Sequence, residues 1–288
     1  SKLLETKNWL KLFFQYWAFQ SVTGVLMEKP SRLLKSILAM KPFLNTTPQN
    51  RLKISKQHIW YEQFTFSFLQ LPKSQLKIKK SPLIFPATWH QLNQLLEHAP
   101  KPSILLFFHM AGWRMILSML AKASQSHTNV LLSFLGDSQQ GHFDILKKQA
   151  EQCHGMNWEQ LNHHRKIEFL DVNDEHLHIK LNQHIASKRL LVVLPDTILA
   201  QQGKGEPVPV NVLKHAFVVA SGIFKLAQLK KIPLIPVVHG FDSYCFKLDI
   251  QSPKYFEYQK ASIHIALQEI LSPLISHLEQ FPAQWNQW

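Results

Sequence analysis

The hydrophobic pattern of the chain changes character near residue 86. Before residue 71, apolar side chains recur at helical spacing, which predicts helices. Residues 72–86 are broken by prolines and rich in lysine, with a possible short strand at 83–85. Beyond them, short and wholly apolar runs alternate with segments of helical periodicity. Runs of this kind are typical of strands that are buried on both faces of a sheet.

The predicted strands are short, mainly apolar segments at 103–108, 130–134, 167–170, 190–194, 234–238 and 244–250. The predicted helices lie at 88–98, 110–124, 143–153, 174–188 and 216–230. Strands that alternate with helices indicate βαβ units. We therefore expect one α/β domain over residues 72–288, with a largely parallel central sheet flanked by helices, and a helical, membrane-proximal extension over residues 1–71.

Residues 1–27 are unusually rich in aromatic and large apolar side chains, but lysines and glutamines interrupt them. The segment is therefore too polar to predict a membrane-spanning helix. One interpretation is an amphipathic helix that lies in a membrane interface with its lysines at headgroup level. The other is a helix packed on the core of the protein itself. The pattern does not choose between them.

The chain is strongly basic, with 32 Lys and Arg against 19 Asp and Glu, a formal net charge of +13 and a pI near 9.7. This balance favours an anionic partner, such as a membrane surface, an acidic protein or nucleic acid. No recognised nucleic-acid module accompanies lysine clusters such as 73–80, so nucleic acid is not a predicted partner. Cys153 and Cys245 fit a reducing compartment, and no ligand spacing indicates a metal or cofactor.

Two polar residues follow strongly apolar strands. His109 comes directly after the run at 103–108, and Asp196 follows the run at 190–194. The carboxyl ends of parallel strands meet at one edge of a sheet, where ligands bind. A histidine at that edge can take a proton from a nucleophile. We therefore predict His109 and Asp196 as the catalytic residues, against the alternative of a strand-end histidine in a purely structural hydrogen bond.

The surroundings of both residues resemble a known family. Residues 104–120 (ILLFFHMAGWRMILSML) resemble the histidine motif of the lysophospholipid acyltransferase superfamily, in particular the late acyltransferases of lipid A biosynthesis of the lauroyl and myristoyl type. Residues 190–238 are similar to its strand ending in an acid, its glycine-containing loop, its helix of small residues and its strand ending in Pro-Val. The sequence LEQFPAQWNQW at 278–288 is similar to its closing motif. The resemblance covers roughly residues 50–288.

The resemblance implies a transferase that moves an acyl group from a carrier-protein or CoA thioester to a lipid-linked or amphipathic acceptor, without a cofactor. It gives His109 the role of the base that deprotonates the acceptor hydroxyl. It also implies a place at the cytoplasmic face of a bacterial inner membrane, either peripheral or anchored by the N-terminal segment. An acidic carrier protein or an anionic membrane surface would suit the basic charge.

One position departs from the family pattern. Five residues after His109, where the family has Asp or Glu, this chain has Arg114. A cation there cannot stabilise an imidazolium, and three explanations are open. The first is that another carboxylate serves, with Asp196 preferred over Asp137 and Glu206. The second is that the nucleophile is an amine, or the donor an aminoacyl thioester, as in natural-product synthesis or lipid A modification. The third is that the chain binds without catalysis.

Two further sets of residues complete the sequence-based hypotheses. The residues predicted to contact substrate or donor are Arg114, Asp137, Lys204 and Glu206. A second "histidine, four residues, glutamate" pattern runs from His154 to Glu159. It follows a polar, helix-like stretch rather than an apolar strand, so its histidine would not project from a sheet edge. We therefore favour His109 over His154.

Overall fold

The computed structural model of the chain describes residues 86–124, 127, 130–136, 142–154, 156–163, 166–196, 206–213, 215–242, 245–259 and 262–285, with scattered residues between 47 and 57. Several predictions fall outside the described residues: most of the helical extension at 1–71, the short strand at 83–85, and the side chains of Asp137 and Lys204.

The described helices are α1 Pro86–His98, α2 Trp113–Ser124, α3 His142–His154, α4 Trp158–Leu161, α5 Leu177–Ala186, α6 Gly222–Lys230 and α7 Ile263–Gln280, followed by a 3₁₀ turn at Pro282–Gln284. The described strands are β1 Ser103–Leu106, β2 Leu132–Gly136, β3 Ile167–Asp171, β4 Leu190–Val193, β5 Pro207–Val212, β6 His215–Ala220, β7 Leu234–Asp242 and β8 Cys245–Ile250.

A six-stranded sheet in the order β3-β2-β4-β1-β7-β8 forms the centre of the described fold. Strands β1, β2, β3, β4 and β7 run parallel, and β8 runs antiparallel to β7 at one edge. The expected α/β fold with a largely parallel sheet is thus confirmed. Strand β1 pairs with β4 and β7, and Leu106 lies level with Val193 and Pro236. The carboxyl ends of β1 and β4 are therefore neighbours.

Apolar side chains cover both faces of this sheet. Helices α1, α2 and α3 pack on one face, and the β5–β6 hairpin, α6 and α7 pack on the other. Every residue of β1 and β4 is buried. This explains why both strands appear in the sequence as continuous apolar runs, since neither face of the sheet meets water.

The predicted helix at 216–230 is wrong in its first part. Residues His215–Ala220 form strand β6, which pairs antiparallel with β5, and only Gly222–Lys230 is helical. Phe217 and Val219 are buried, whereas the residues between and beside them are more exposed. This alternation has the period of a strand that covers a core with one face. The hairpin packs against α7 beside the central sheet.

His239 lies within β7 and is almost completely buried. Its side chain is 1% exposed, and its ring lies 5.8 Å from the ring of Phe107 and 6.3 Å from that of Phe246. Burial lowers the pKa of His239 to about 3, and positive charge on His277 acts in the same direction. The folded protein therefore holds this ring in its neutral form.

We predict that His239 makes the protein sensitive to acid. Its pKa in the folded state lies below the unfolded value of about 6.5, so its contribution to stability is complete above that pH and is lost as the pH falls towards 3. The loss amounts to about 1.4 kcal/mol per pH unit. Chemical denaturation gives the unfolding free energy at pH 7 and at pH 5. The decrease between these two pH values should be about 2 kcal/mol smaller in His239→Phe than in the wild type.

The control for this prediction is His264→Gln, because His264 is exposed on α7. This substitution should leave the difference between pH 7 and pH 5 unchanged. An equal pH dependence in wild type and His239→Phe would show that His239 does not carry the acid sensitivity.

Candidate active site

His109 and Asp196 meet at the carboxyl edge of the sheet. The Nδ1 atom of His109 lies 2.8 Å from Oδ1 of Asp196, and the backbone N–H of His109 donates to Oδ2 at 2.9 Å. The His109 side chain is 14% exposed, whereas that of Asp196 has no contact with solvent. The structure thus brings together the two residues predicted as catalytic, with the carboxylate inside the protein and the imidazole facing outward.

A third donor completes the surroundings of the Asp196 carboxylate. The indole N–H of Trp285 donates to Oδ2 at 2.9 Å. Hydrogen bonds of this kind to an ionised group offset the large cost of burying its charge. Because a carboxylate only accepts hydrogen bonds, the Nδ1 atom of His109 carries the hydrogen in this contact. The Nε2 atom then has a lone pair with which to accept a proton from a substrate.

The turn that carries His109 is fixed by its own backbone and by the segment after α7. Gly112 has a φ of 85°, a conformation that side chains disfavour, and this allows the chain to turn before α2 begins at Trp113. This turn explains why α2 begins later than the predicted helix at 110–124. The N–H of Ala111 donates to the carbonyl oxygen of Gln284 at 2.5 Å, and Met110 forms a β-bridge with Trp285.

Arg114 lies on an aromatic ring beside the histidine. Its guanidinium carbon is 5.1 Å from the centre of the Trp113 ring, and that ring meets His109 edge-on at a centroid distance of 5.1 Å. Such stacking contributes about 0.5–1 kcal/mol at exposed sites. The three side chains thus contact one another in the order Arg114, Trp113, His109. The carboxylate in contact with His109 comes from the end of β4, not from the first turn of α2.

Glu206 precedes strand β5 and connects the hairpin with α6. Its side chain is exposed and forms an ion pair with Lys225, whose hydrogen bond lowers the pKa of the carboxyl group. The hydroxyl of Ser221 donates to the backbone carbonyl of Glu206 at 2.8 Å. The described contacts of Glu206 are thus with α6, and the structure does not bring its carboxylate to His109.

The second histidine–glutamate pattern lies in a helix-capping segment. Asn157 accepts a hydrogen bond from the backbone N–H of Gln160 at 2.8 Å, and the side chain of Gln160 accepts one from the N–H of Asn157 at 3.2 Å. This reciprocal pair is a capping box, which fixes the first turn of α4. Glu159 is exposed on that turn, and His154 is the last residue of α3. Neither lies at the end of a strand.

A serine, a histidine and a glutamate that no sequence motif indicated form a hydrogen-bonded series between the sheet and α5. Ser133 Oγ lies 2.6 Å from Nδ1 of His184, and Nε2 of His184 lies 2.9 Å from Glu168, which also binds Arg189. Ser133 is fully buried in the amino-terminal half of β2, so no substrate can reach its hydroxyl. Burial lowers the pKa of His184. This network provides hydrogen-bond partners for buried polar groups, and we assign it a structural role rather than a catalytic one.

Comparison with protein-family models and with curated proteins found no match. Among the described helices, none combines the length and apolar character needed to cross a membrane. Within the described ranges, no cluster of histidine, cysteine and acidic residues could hold a metal ion.

We predict that Gly112→Ala disrupts the turn that carries His109. A Cβ atom at this position would lie 2.6 Å from Cε2 of Phe246, a fully buried ring with little room to move, and the positive φ adds strain. We expect a loss of about 2–4 kcal/mol in unfolding free energy, measured by urea denaturation.

Gly222→Ala is the matched control for Gly112→Ala. A Cβ atom on Gly222, at the start of α6, would meet nothing within 4 Å. The substitution should leave stability unchanged or raise it by up to about 1 kcal/mol. Similar losses of unfolding free energy in the two variants would mean that the positive φ and the contact with Phe246 do not require glycine at position 112.

Proposed function

We propose that this protein is an acyltransferase in which His109 acts as the general base. The observation that carries the proposal is the contact of Nδ1 with a fully buried carboxylate, which leaves Nε2 as the proton acceptor on a partly exposed ring. A histidine oriented in this way by an acid can activate a hydroxyl or an amine. The fold we propose is that of the lysophospholipid acyltransferases, to which residues 50–288 show the resemblance described above.

The proposed reaction is a transfer from a thioester. Nε2 of His109 removes the proton of the acceptor hydroxyl while the hydroxyl oxygen attacks the thioester carbonyl carbon. A tetrahedral intermediate forms, its C–S bond then breaks, and the imidazolium returns the proton to the departing thiolate. The products are the acylated acceptor and a free thiol. Asp196 acts through His109, because its negative charge orients the ring and stabilises the imidazolium.

The proposed donor is an acyl carrier protein or CoA thioester, and the proposed acceptor is lipid-linked or amphipathic. The net charge of +13 supports an acidic carrier protein and an anionic membrane surface as partners. We place the protein at the cytoplasmic face of a bacterial inner membrane, with residues 1–71 as the helical part nearest to the lipid. The family resemblance and the basic charge support this placement.

The position of the acid favours hydroxyl acylation over the alternatives opened by Arg114. A neutral amine attacks a thioester readily, so it needs less help from a base. A protein that only binds its ligand needs no base at all. In this chain the acid expected near His109 is present at hydrogen-bond distance, although it comes from β4. Amine acylation and binding without turnover are therefore alternative outcomes of the test.

We predict that His109→Ala abolishes transfer and that Asp196→Asn lowers the rate on the order of 10³- to 10⁴-fold, the cost of losing an orienting carboxylate in other histidine-based sites. The assay supplies lauroyl-CoA or lauroyl carrier protein with a lysophospholipid, a lipid A precursor or a primary amine. Free thiol is measured with a chromogenic reagent, and the product is identified by mass spectrometry.

Asp144→Asn is the matched control, because Asp144 lies on α3 with its side chain 76% exposed. It should transfer acyl groups at the wild-type rate. Full activity in folded His109→Ala would remove His109 from the mechanism. If the wild type released no thiol with any of these donors and acceptors, the proposed function would be wrong and binding without turnover would be favoured.

A further inference from the structure

We propose that Gln284 and Trp285 are positioning residues for the site, so that the segment after α7 sets the orientation of Asp196 and the tautomer of His109. We call residues 282–285 the C-terminal segment. The expected effects on catalysis rest on the proposed function. The structural basis of the positioning role is a set of hydrogen bonds by which this segment reaches both members of the His109–Asp196 pair.

Trp285 acts on the carboxylate. Its indole N–H and the backbone N–H of His109 both donate to Oδ2 of Asp196, at 2.9 Å each. Oδ1 is thereby left to face the imidazole. Without the indole donor, only the His109 N–H would distinguish Oδ2 from Oδ1. The carboxylate could then rotate about its Cβ–Cγ bond, and its contact with Nδ1 would weaken.

The position of the indole is itself fixed. Trp285 is 1% exposed, and its ring meets that of Phe217 on β6 edge-on, at a centroid distance of 5.0 Å and an interplanar angle of 68°. A phenylalanine at position 285 would retain much of this apolar contact. Packing in an apolar core does not require the indole N–H group. A buried carboxylate does require hydrogen-bond donors. The presence of the indole N–H therefore indicates a role toward Asp196 beyond packing.

Gln284 acts on the turn that carries His109. Its side-chain oxygen accepts from the N–H of Phe241 and its side-chain nitrogen donates to the carbonyl oxygen of the same residue, both at 2.7 Å. Its backbone oxygen accepts from Ala111, two residues after His109. A side chain at Gly240 would collide with the Gln284 amide and with His277, so only glycine permits this approach. Gln284 therefore ties β7 to the His109 turn.

The first experiment compares Trp285→Phe with Trp158→Phe, which makes the same change in the aromatic group around Phe169. Loss of one hydrogen bond to an ionised group should lower kcat about 10- to 100-fold, with KM within about threefold of wild type. The rate is divided by the concentration of folded protein, and the folded fraction is measured by circular dichroism. Trp158→Phe should retain wild-type kcat. A purely structural Trp285 would reduce the folded fraction but leave kcat per folded molecule unchanged.

The second experiment needs no activity. Nitrogen-15 NMR of histidine-labelled protein at about pH 8.5, where unperturbed histidines are neutral, reports which ring nitrogen carries the hydrogen. His109→Gln assigns the signal. The wild type should show a hydrogen on Nδ1 and none on Nε2. Trp285→Phe should give a mixture of the two tautomers, whereas Trp158→Phe should match the wild type.

The third experiment compares Gln284 with Gln268, because each side chain bonds to the backbone N–H and carbonyl oxygen of a single residue. Gln268 on α7 binds both backbone groups of Asn211, at 2.6 and 3.0 Å, in an exposed position on the hairpin. Gln268→Met should keep kcat, while Gln284→Met should lower it at least about tenfold, because the His109 turn loses its tie to β7. If Gln284→Met does not fold, Trp285→Phe decides the question.

The results separate this inference from the proposed function. A tautomer change in Trp285→Phe without transfer activity in the wild type would support the positioning role and contradict the acyltransferase. Transfer activity in the wild type with unchanged kcat and an unchanged tautomer in Trp285→Phe would overturn the positioning role and leave the proposed function standing.

Discussion

The buried charge of Asp196 is the constraint on which the rest of the site depends. A carboxylate removed from water costs several kcal/mol unless hydrogen bonds compensate it. Here the compensation comes from His109, through its ring and its backbone, and from the indole of Trp285. These donors belong to the turn after β1 and to the residue after the 3₁₀ turn, so a stable Asp196 requires the segment after α7 to return to the carboxyl edge of the sheet. The site and the tertiary fold therefore form together.

Sheet topology accounts for the part of this arrangement that could be predicted from sequence. Strands β1 and β4 are covered on both faces, so their apolar runs could be recognised without any knowledge of their partners. In a parallel sheet, the residues that follow such strands lie along one edge. His109 and Asp196 could therefore be expected near one another from strand direction alone. The sequence could not show that β1 and β4 are adjacent, because strand order is fixed by packing.

The features missed by the sequence analysis depend on contacts between distant segments. Strand β6 was predicted as helix because its residues are small and apolar, yet it is a strand because it pairs with β5 and its buried side chains join the core that includes α7. The bond from Trp285 to Asp196 spans 89 residues and leaves no local pattern. The same holds for the buried pairing of Ser133 with His184, which looks like part of an apolar run in the sequence. Propensity gives only a weak preference where tertiary pairing decides.

Arg114 is compatible with an acid–histidine pair because the acid comes from another element of the fold. A cation in the first turn of α2 is opposed by the helix dipole by about 0.3–1 kcal/mol, and stacking on Trp113 offsets a similar amount. The structure thus accommodates arginine where the resembling family has an acid. Asp196 approaches Nδ1 of His109 from the interior, where the low dielectric strengthens its interaction with the ring. If the proposed function is correct, position 114 need not supply a carboxylate, because the end of β4 does so.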